Sequence, residues 1–138
     1  MKIILSCLIF LTMITNPIDK YKWKNRLILI FAESETEMTD QVNILNKEKK
    51  GLKDRDLLIF TIGKEKATDP QGNSLSPQQQ EWLSKEFNPG RKPFAVVLIG
   101  KDGTEKLTEY ALLSTDKLFS TIDVMPMRQQ EMKDDYRK

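Results

Sequence analysis

"RLILIFAESETEM", residues 26–38, passes from an apolar run into alternating acids and hydroxyls and then into a helical pattern. The run "RLILIF" (Arg26 to Phe31) has strand length, is partly β-branched and shows no polar alternation, so it reads as a strand buried on both faces. Ser34 and Glu37 follow in S-x-x-E spacing. In such a capping box the hydroxyl accepts a hydrogen bond from a first-turn amide while the carboxylate returns to the cap amide. Met38, Val42, Leu45 and Leu52 then fall four, three and seven apart, which is one face of a helix, and Gly51 is expected to end it.

Outward from this junction the same reading continues. "DLLIFTIG" (Asp56 to Gly63) is a second buried strand, followed by a polar loop with turn signals at Asp69-Pro70 and Gly72-Asn73. Ser76, Pro77 and Gln79 open a second helix with a capping box and a proline at its first position. Trp82, Leu83 and Phe87 give that helix its buried side, and "NPG" (Asn88 to Gly90) stops it. "PFAVVLIG" (Pro93 to Gly100) is a third strand, "KDG" a hairpin turn and "TEKLTEY" a fourth strand. Leu118, Phe119, Ile122 and Met125 have helical spacing; Pro126 either kinks that helix or begins another. The tail "KDDYRK" is expected to fray.

The order is βαβαββα, an α/β chain with a central four-stranded mixed sheet flanked by helices. Each early strand-helix-strand unit predicts a right-handed crossover with parallel pairing, and the hairpin predicts an antiparallel edge. This is the element order of the thioredoxin fold, which carries its catalytic cysteines at the junction occupied here by "AESETEM".

Composition narrows the chemistry. The 138 residues hold 22 Lys plus Arg, 20 Asp plus Glu, one cysteine and no histidine. The net charge of +2 gives no reason to expect a nucleic-acid partner. Cys7 lies in an apolar N-terminal stretch, Ile3 to Phe10 continuing through Leu11, Met13 and Ile14, behind a single Lys2. That pattern reads as a secretory signal peptide, residues 1–18, with the boundary between Thr15 and Lys20, leaving one domain at 19–138. The stretch falls short of the ~20 apolar residues a membrane span needs. Two other readings are a lipoprotein box at "ILSC", where the apolar run before Cys7 is too short, and a buried N-terminal strand or helix. With the signal removed, the secreted or periplasmic chain has neither thiol nor imidazole. Thiol exchange, Ser-His-Asp and Cys-His nucleophiles and the usual zinc sites are thereby excluded.

Four stretches resemble the domain of unknown function 4174 (DUF4174) family: "YKWKNRLILIF" (21–31), "LKDRDLLIFTIG" (52–63), "FAVVLIGKDGTEKL" (94–107) and "IDVMPMRQQEM" (122–132). That family is thioredoxin-like and includes single-domain secreted bacterial proteins. It also supplies modules of sushi-repeat-containing and coiled-coil-domain-containing extracellular matrix proteins. The resemblance implies the fold and no established reaction. Pro93 matches the proline, usually cis, that precedes the third core strand of thioredoxin-like proteins; a trans proline opening a strand fits the residues as well.

The candidate surface comprises Glu33, Ser34, Glu35, Arg91, Lys92, Pro93 and Arg128. If the fold holds, Arg91 and Lys92 lie near the acidic loop. They then form either a polar cleft for a small anion or a peptide strand, or a solvated ion-pair cluster. Ser34 and Glu37 have Cys-x-x-Cys spacing, but neither side chain exchanges disulfides, so capping explains them. Glu33, Glu35, Glu37 and Asp40 offer oxygen ligands for a hard cation without the spacing of an ion-wrapping loop. Arg128, in "MPMRQQEM", belongs either to an interaction surface or to a terminal helix that docks its methionines while Arg128 pairs with Glu131 or Asp123. Arg55 is placed to tie its loop to that helix, and Trp23 is expected to pack under the first strand.

These residues predict a non-redox binding or structural module with no cofactor, no metal and no catalytic residue, and with a protein or peptide partner in the cell envelope or extracellular space. The alternative is a small-ligand binder, or a cysteine-free enzyme derived from peroxiredoxins, using the cleft near Pro93.

Overall fold

The computed structural model describes residues 16–138, so most of the expected leader, with Cys7, lies outside the described residues. A 3-10 turn (Asp19–Tyr21) leads into β1 (Arg26–Ala32), α1 (Glu35–Asn46), α2 (Lys49–Asp54), β2 (Leu57–Gly63), β3 (Ala67–Thr68) and α3 (Pro77–Phe87). The chain then forms β4 (Phe94–Ile99), β5 (Glu105–Glu109), α4 (Thr115–Asp123) and α5 (Pro126–Tyr136). Ile18, on the leader side of the expected boundary, is packed in the core.

The sheet has five strands in the order β3-β2-β1-β4-β5. The added strand, β3, forms within the loop after β2 and pairs antiparallel with it through Thr61 and Ile62. Its two residues carry too little periodicity to register in the sequence. β1 and β2 are parallel, as expected, but the second unit does not repeat that pairing: β4 lies antiparallel on the other side of β1. Between β2 and β4 the chain passes α3 across the face opposite α1 and re-enters at the same end of the sheet, where Phe94 pairs with Ala32.

The central strand, β1, is buried at all seven positions, in keeping with its unalternated sequence. Leu27, Leu29 and Phe31 point to one apolar layer, with Phe60, Val97, Leu83 of α3 and Tyr21 of the N-terminal turn. Ile28, Ile30 and Ala32 point to the other, with Leu45 of α1, Leu52 of α2 and Leu118 and Ile122 of α4. Burying a single such side chain stabilises by about 1.5–3 kcal/mol, so the double-faced strand anchors the fold.

The helix after β1 is divided into α1 and α2 at Lys47–Glu48, a break for which nothing in the local sequence or packing gives a reason. Gly51, expected as a terminator, lies inside α2 because a Cβ there would come within 2.6 Å of the Phe119 ring. Ser34 caps α1 by accepting from the Glu37 amide at 3.4 Å, although the return half of that box is not made. The Ser76–Gln79 box is complete. Pro126 begins α5, and the tail remains helical to Tyr136.

Candidate functional site

Parallel β1 and β2 end side by side at Ala32 and Gly63, and a crevice opens beyond their carboxyl ends. This is where ligands bind in open α/β sheets, because two chains diverge there and leave backbone groups uncovered. The larger part, about 700 Å3, is lined by Glu33, Glu35 and Met38 on the α1 side and by Thr61, Lys64, Glu65, Lys66 and Thr68 on the other. A smaller part, about 220 Å3, shares Ala32, Glu33, Gly63 and Lys64 and extends to Asn88, Arg91, Lys92 and Pro93.

The loop 88–92 is shaped by a buried amide. Asn88 accepts from the Lys92 N–H at 3.0 Å and donates to the Lys92 carbonyl at 3.1 Å, closing a turn in which Arg91 takes φ 50°. Pro93 then accepts from the Glu33 N–H at 2.9 Å, which ties the two loops together. The described residues contain no cis peptide bond, so Lys92–Pro93 is trans.

The structure therefore brings Glu33, Glu35, Arg91, Lys92 and Pro93 to one end of the sheet. Ser34 is next to them but lines neither cavity, its hydroxyl being spent on the helix cap. Arg91 does not reach the acidic loop: its guanidinium donates to Glu81 at 2.6 Å, and that hydrogen bond lowers the Glu81 carboxyl below its ordinary value. Both partners are half exposed, so solvent screens the pair and it contributes little. Among the described residues, no group of three or more carboxylate, imidazole or thiol side chains is placed to hold a metal ion.

Lys64, Glu65, Lys66 and Thr68 went unrecognised in the sequence. The available signal was positional: they follow the second parallel strand just as Glu33 follows the first.

Arg128 lies elsewhere. It is buried at the opposite end of the sheet, where it donates to Asp123 at 3.2 Å and to the Asp54 carbonyl at 2.8 Å. Arg26, 2% exposed, holds both oxygens of Glu131 at 3.1 Å, and Lys101 reaches Glu131 at 2.6 Å and Asp56 at 2.8 Å. Arg55 completes the network with a two-pronged contact to Asp123, which ends α4, so it ties its loop to that helix and not to α5 as expected. Burial pushes the Glu131 carboxyl up, but Arg26 and Lys101 outweigh it and hold it below the ordinary value. Hydrogen bonding from Arg55 likewise lowers Asp123, against opposition from burial and with help from Arg128. This cluster draws on all four stretches that carried the family resemblance, and it is internally satisfied. Trp23 also departs from expectation: it is 63% exposed, at φ 68°, with its N–H on the Lys101 carbonyl at 2.6 Å.

Topology and site together define a thioredoxin-fold domain whose strand-end crevice carries carboxylates, hydroxyls and amines. The chain belongs to the DUF4174 family, a domain of unknown function, whose model matches residues 17–131. Among solved structures it is similar to the reduced 2-Cys peroxiredoxin of Plasmodium vivax, at 15% identity and a TM-score of 0.54, over 80% of this chain and 83% of that one. A weaker likeness is to Trgpx in its apo form, at 20% identity and a TM-score of 0.47, over 83% and 84% of the two chains. A comparison with curated proteins gave no match.

Proposed function

We propose that this is a secreted, non-redox thioredoxin-like domain that binds an extended segment of a protein partner along the strand-end crevice. The observation that carries the reading is the junction between β1 and α1. There, thiol chemistry would need a cysteine in the first helical turn, where the free amides and the helix dipole lower a thiol pKa. Residues 33–37 instead read Glu-Ser-Glu-Thr-Glu, and the chain from residue 16 onward has no Cys or His. Ser34 is used as a cap. The two joined cavities form an open trough with acids on the α1 side, lysines across from them and Pro93 at one end, which suits a chain with both charges and exposed backbone.

A small-ligand binder or an enzyme is the second reading, favoured by one observation. The larger cavity falls within the ~300–1,000 Å3 that small-molecule sites occupy.

Peroxide-reduction and disulfide-exchange assays on the folded domain are expected to match the protein-free blank, and turnover in either would overturn the non-redox reading. Affinity capture with wild-type protein, Lys64→Glu/Lys66→Glu and Lys92→Glu tests the crevice. Loss of the captured partner in the crevice variants is expected, and equal capture by all three proteins would remove the partner from this site.

A further inference from the structure

At the end of the sheet opposite the crevice, a cavity of about 250 Å3 lies between the hairpin turn and the start of α5. Met125, Pro126 and Met127 form its apolar wall, and Arg26 and Lys101 reach it from the ion network. Asp102 and Lys106 also border it, but they are joined to each other at 2.9 Å.

The network matches each of its carboxylates without using up its cations. Arg26, Arg55, Lys101 and Arg128 meet Asp56, Asp123 and Glu131, which leaves one positive charge over. The surplus is open at Arg26. Its Nη1 donates to the Arg55 carbonyl at 3.0 Å and to Glu131, while Nη2 donates once, to Glu131. The Nε–H and the second Nη2–H therefore have no partner among the described residues, and they lie side by side on one edge of the planar group. No side-chain nitrogen sealed from solvent lacks a partner among the described residues, so this edge opens onto space, and the cavity is space that Arg26 borders. Arg26 as a whole is only 2% exposed. A buried guanidinium with a bare edge is a ready receptor for two acceptor oxygens, because its parallel N–H groups match the spacing of a carboxylate.

We propose that this cavity binds a small free monocarboxylate with a short apolar body, its carboxylate held by the open edge of Arg26 and by the remaining N–H of Lys101. The surplus of one charge favours a monoanion over a phosphate dianion, since an unmatched buried charge of either sign is costly. Met125, Pro126 and Met127 suit an alkyl body, and methionine adapts to its shape. The volume lies below the ~300 Å3 at which drug-sized sites begin, which restricts that body to a short chain and leaves no room for a polypeptide terminus. α5 opens here without a capping side chain on Met125, so its positive end adds to the attraction.

Butyrate is the probe, titrated into the full chain at neutral pH with butyramide and inorganic phosphate in parallel, and read by the methionine methyl resonances. Saturable shifts at Met125 and Met127, and none at Met38 in the crevice, are expected, with a Kd on the order of 1 mM. Butyramide and phosphate should each bind at least about tenfold more weakly. Arg26→Lys, which keeps the charge but loses the fork, should lower butyrate affinity about tenfold. Met127→Asp tests the site with the ion network intact. An acid in the first turn of a helix is favourable and Met127 enters neither apolar layer, so this variant should melt no lower than wild type. It should bind butyrate at least about tenfold less. Lys133→Gln makes the same change in net charge on α5 away from the cavity and should bind as wild type does. The proposal is overturned by butyramide or phosphate binding as well as butyrate, by tighter binding of N-acetyl-Ala-Ala-Leu with a free carboxyl terminus, or by full butyrate binding in Met127→Asp. Shifts confined to Met38, or no methyl shift with butyrate, would overturn it as well.

Discussion

Arg26 and Glu131, 105 residues apart in sequence, meet through two hydrogen bonds of 3.1 Å, and Arg26 is 2% exposed. The pair joins the first residue of the central strand to the middle of the last helix. No residue of α5 enters either apolar layer, so this helix is attached through charge: Glu131 to Arg26 and Lys101, Arg128 to Asp123 and the Asp54 carbonyl.

Removing one partner of a buried pair strands the other charge, which costs more than the pair itself contributes. Glu131→Gln should therefore destabilise the domain by about 3 kcal/mol in urea unfolding. Arg91→Ala, which breaks the exposed pair with Glu81, should leave the urea midpoint close to that of wild type.

The same network sets an acid dependence. Glu131 and Asp123 both have folded-state pKa values below their ordinary 4.5 and 3.8. Their contribution is thus complete above those values and is lost as the pH falls through the folded-state ones. Asp102, lowered to about 2 chiefly by its hydrogen bond from Lys106, extends the loss to lower pH. Stability should be flat from neutrality to about pH 5 and then decline, with amide exchange in α5 accelerating first. An acid-insensitive α5 would contradict electrostatic docking.

Much of this end of the molecule could not be read from the chain. Arg26 opens an apolar run and looks like a strand boundary; only the return of α5 shows that its charge is buried and matched. Trp23 resembles any core aromatic until the Lys101 carbonyl fixes its backbone and turns it outward. Both outcomes depend on partners more than seventy residues away. What was legible was local or periodic: the two-faced burial of β1, the Ser76–Gln79 box, the helix interruption at Pro126, which the structure resolves as a new start, and Gly103 at φ 81° in the hairpin turn. At the crevice, Glu33 and Glu35 were found from the junction itself, and Pro93 from its likeness to the proline that precedes the third core strand of thioredoxin-like proteins. The Lys64–Lys66 wall was missed because it belongs to a loop whose role depends on strand pairing.

Gln41, fully buried on α1, accepts from the Leu113 N–H at 2.8 Å and donates to the Leu113 carbonyl at 3.0 Å. Gln41→Leu leaves both backbone groups buried and unpaired, at about 1–3 kcal/mol each. Chemical denaturation should show a loss of at least about 2 kcal/mol.

The two helix caps should differ. Ser76→Ala removes a complete box and is expected to cost about 1 kcal/mol, whereas Ser34→Ala removes a single 3.4 Å contact and should cost less. The comparison, made by thermal unfolding, also checks that Ser34 serves only as a cap, since its loss should leave partner capture unchanged.

Site-specific photo-cross-linking tests the binding account most directly. A photoreactive residue placed at Glu33 or Lys92, in the crevice, is compared with one at Gln130, on exposed α5 at the other end. Adducts with the same partner from positions 33 and 92, and none from 130, are the predicted result. Adducts from 130 alone, or none from the crevice while the partner is still captured, would contradict it.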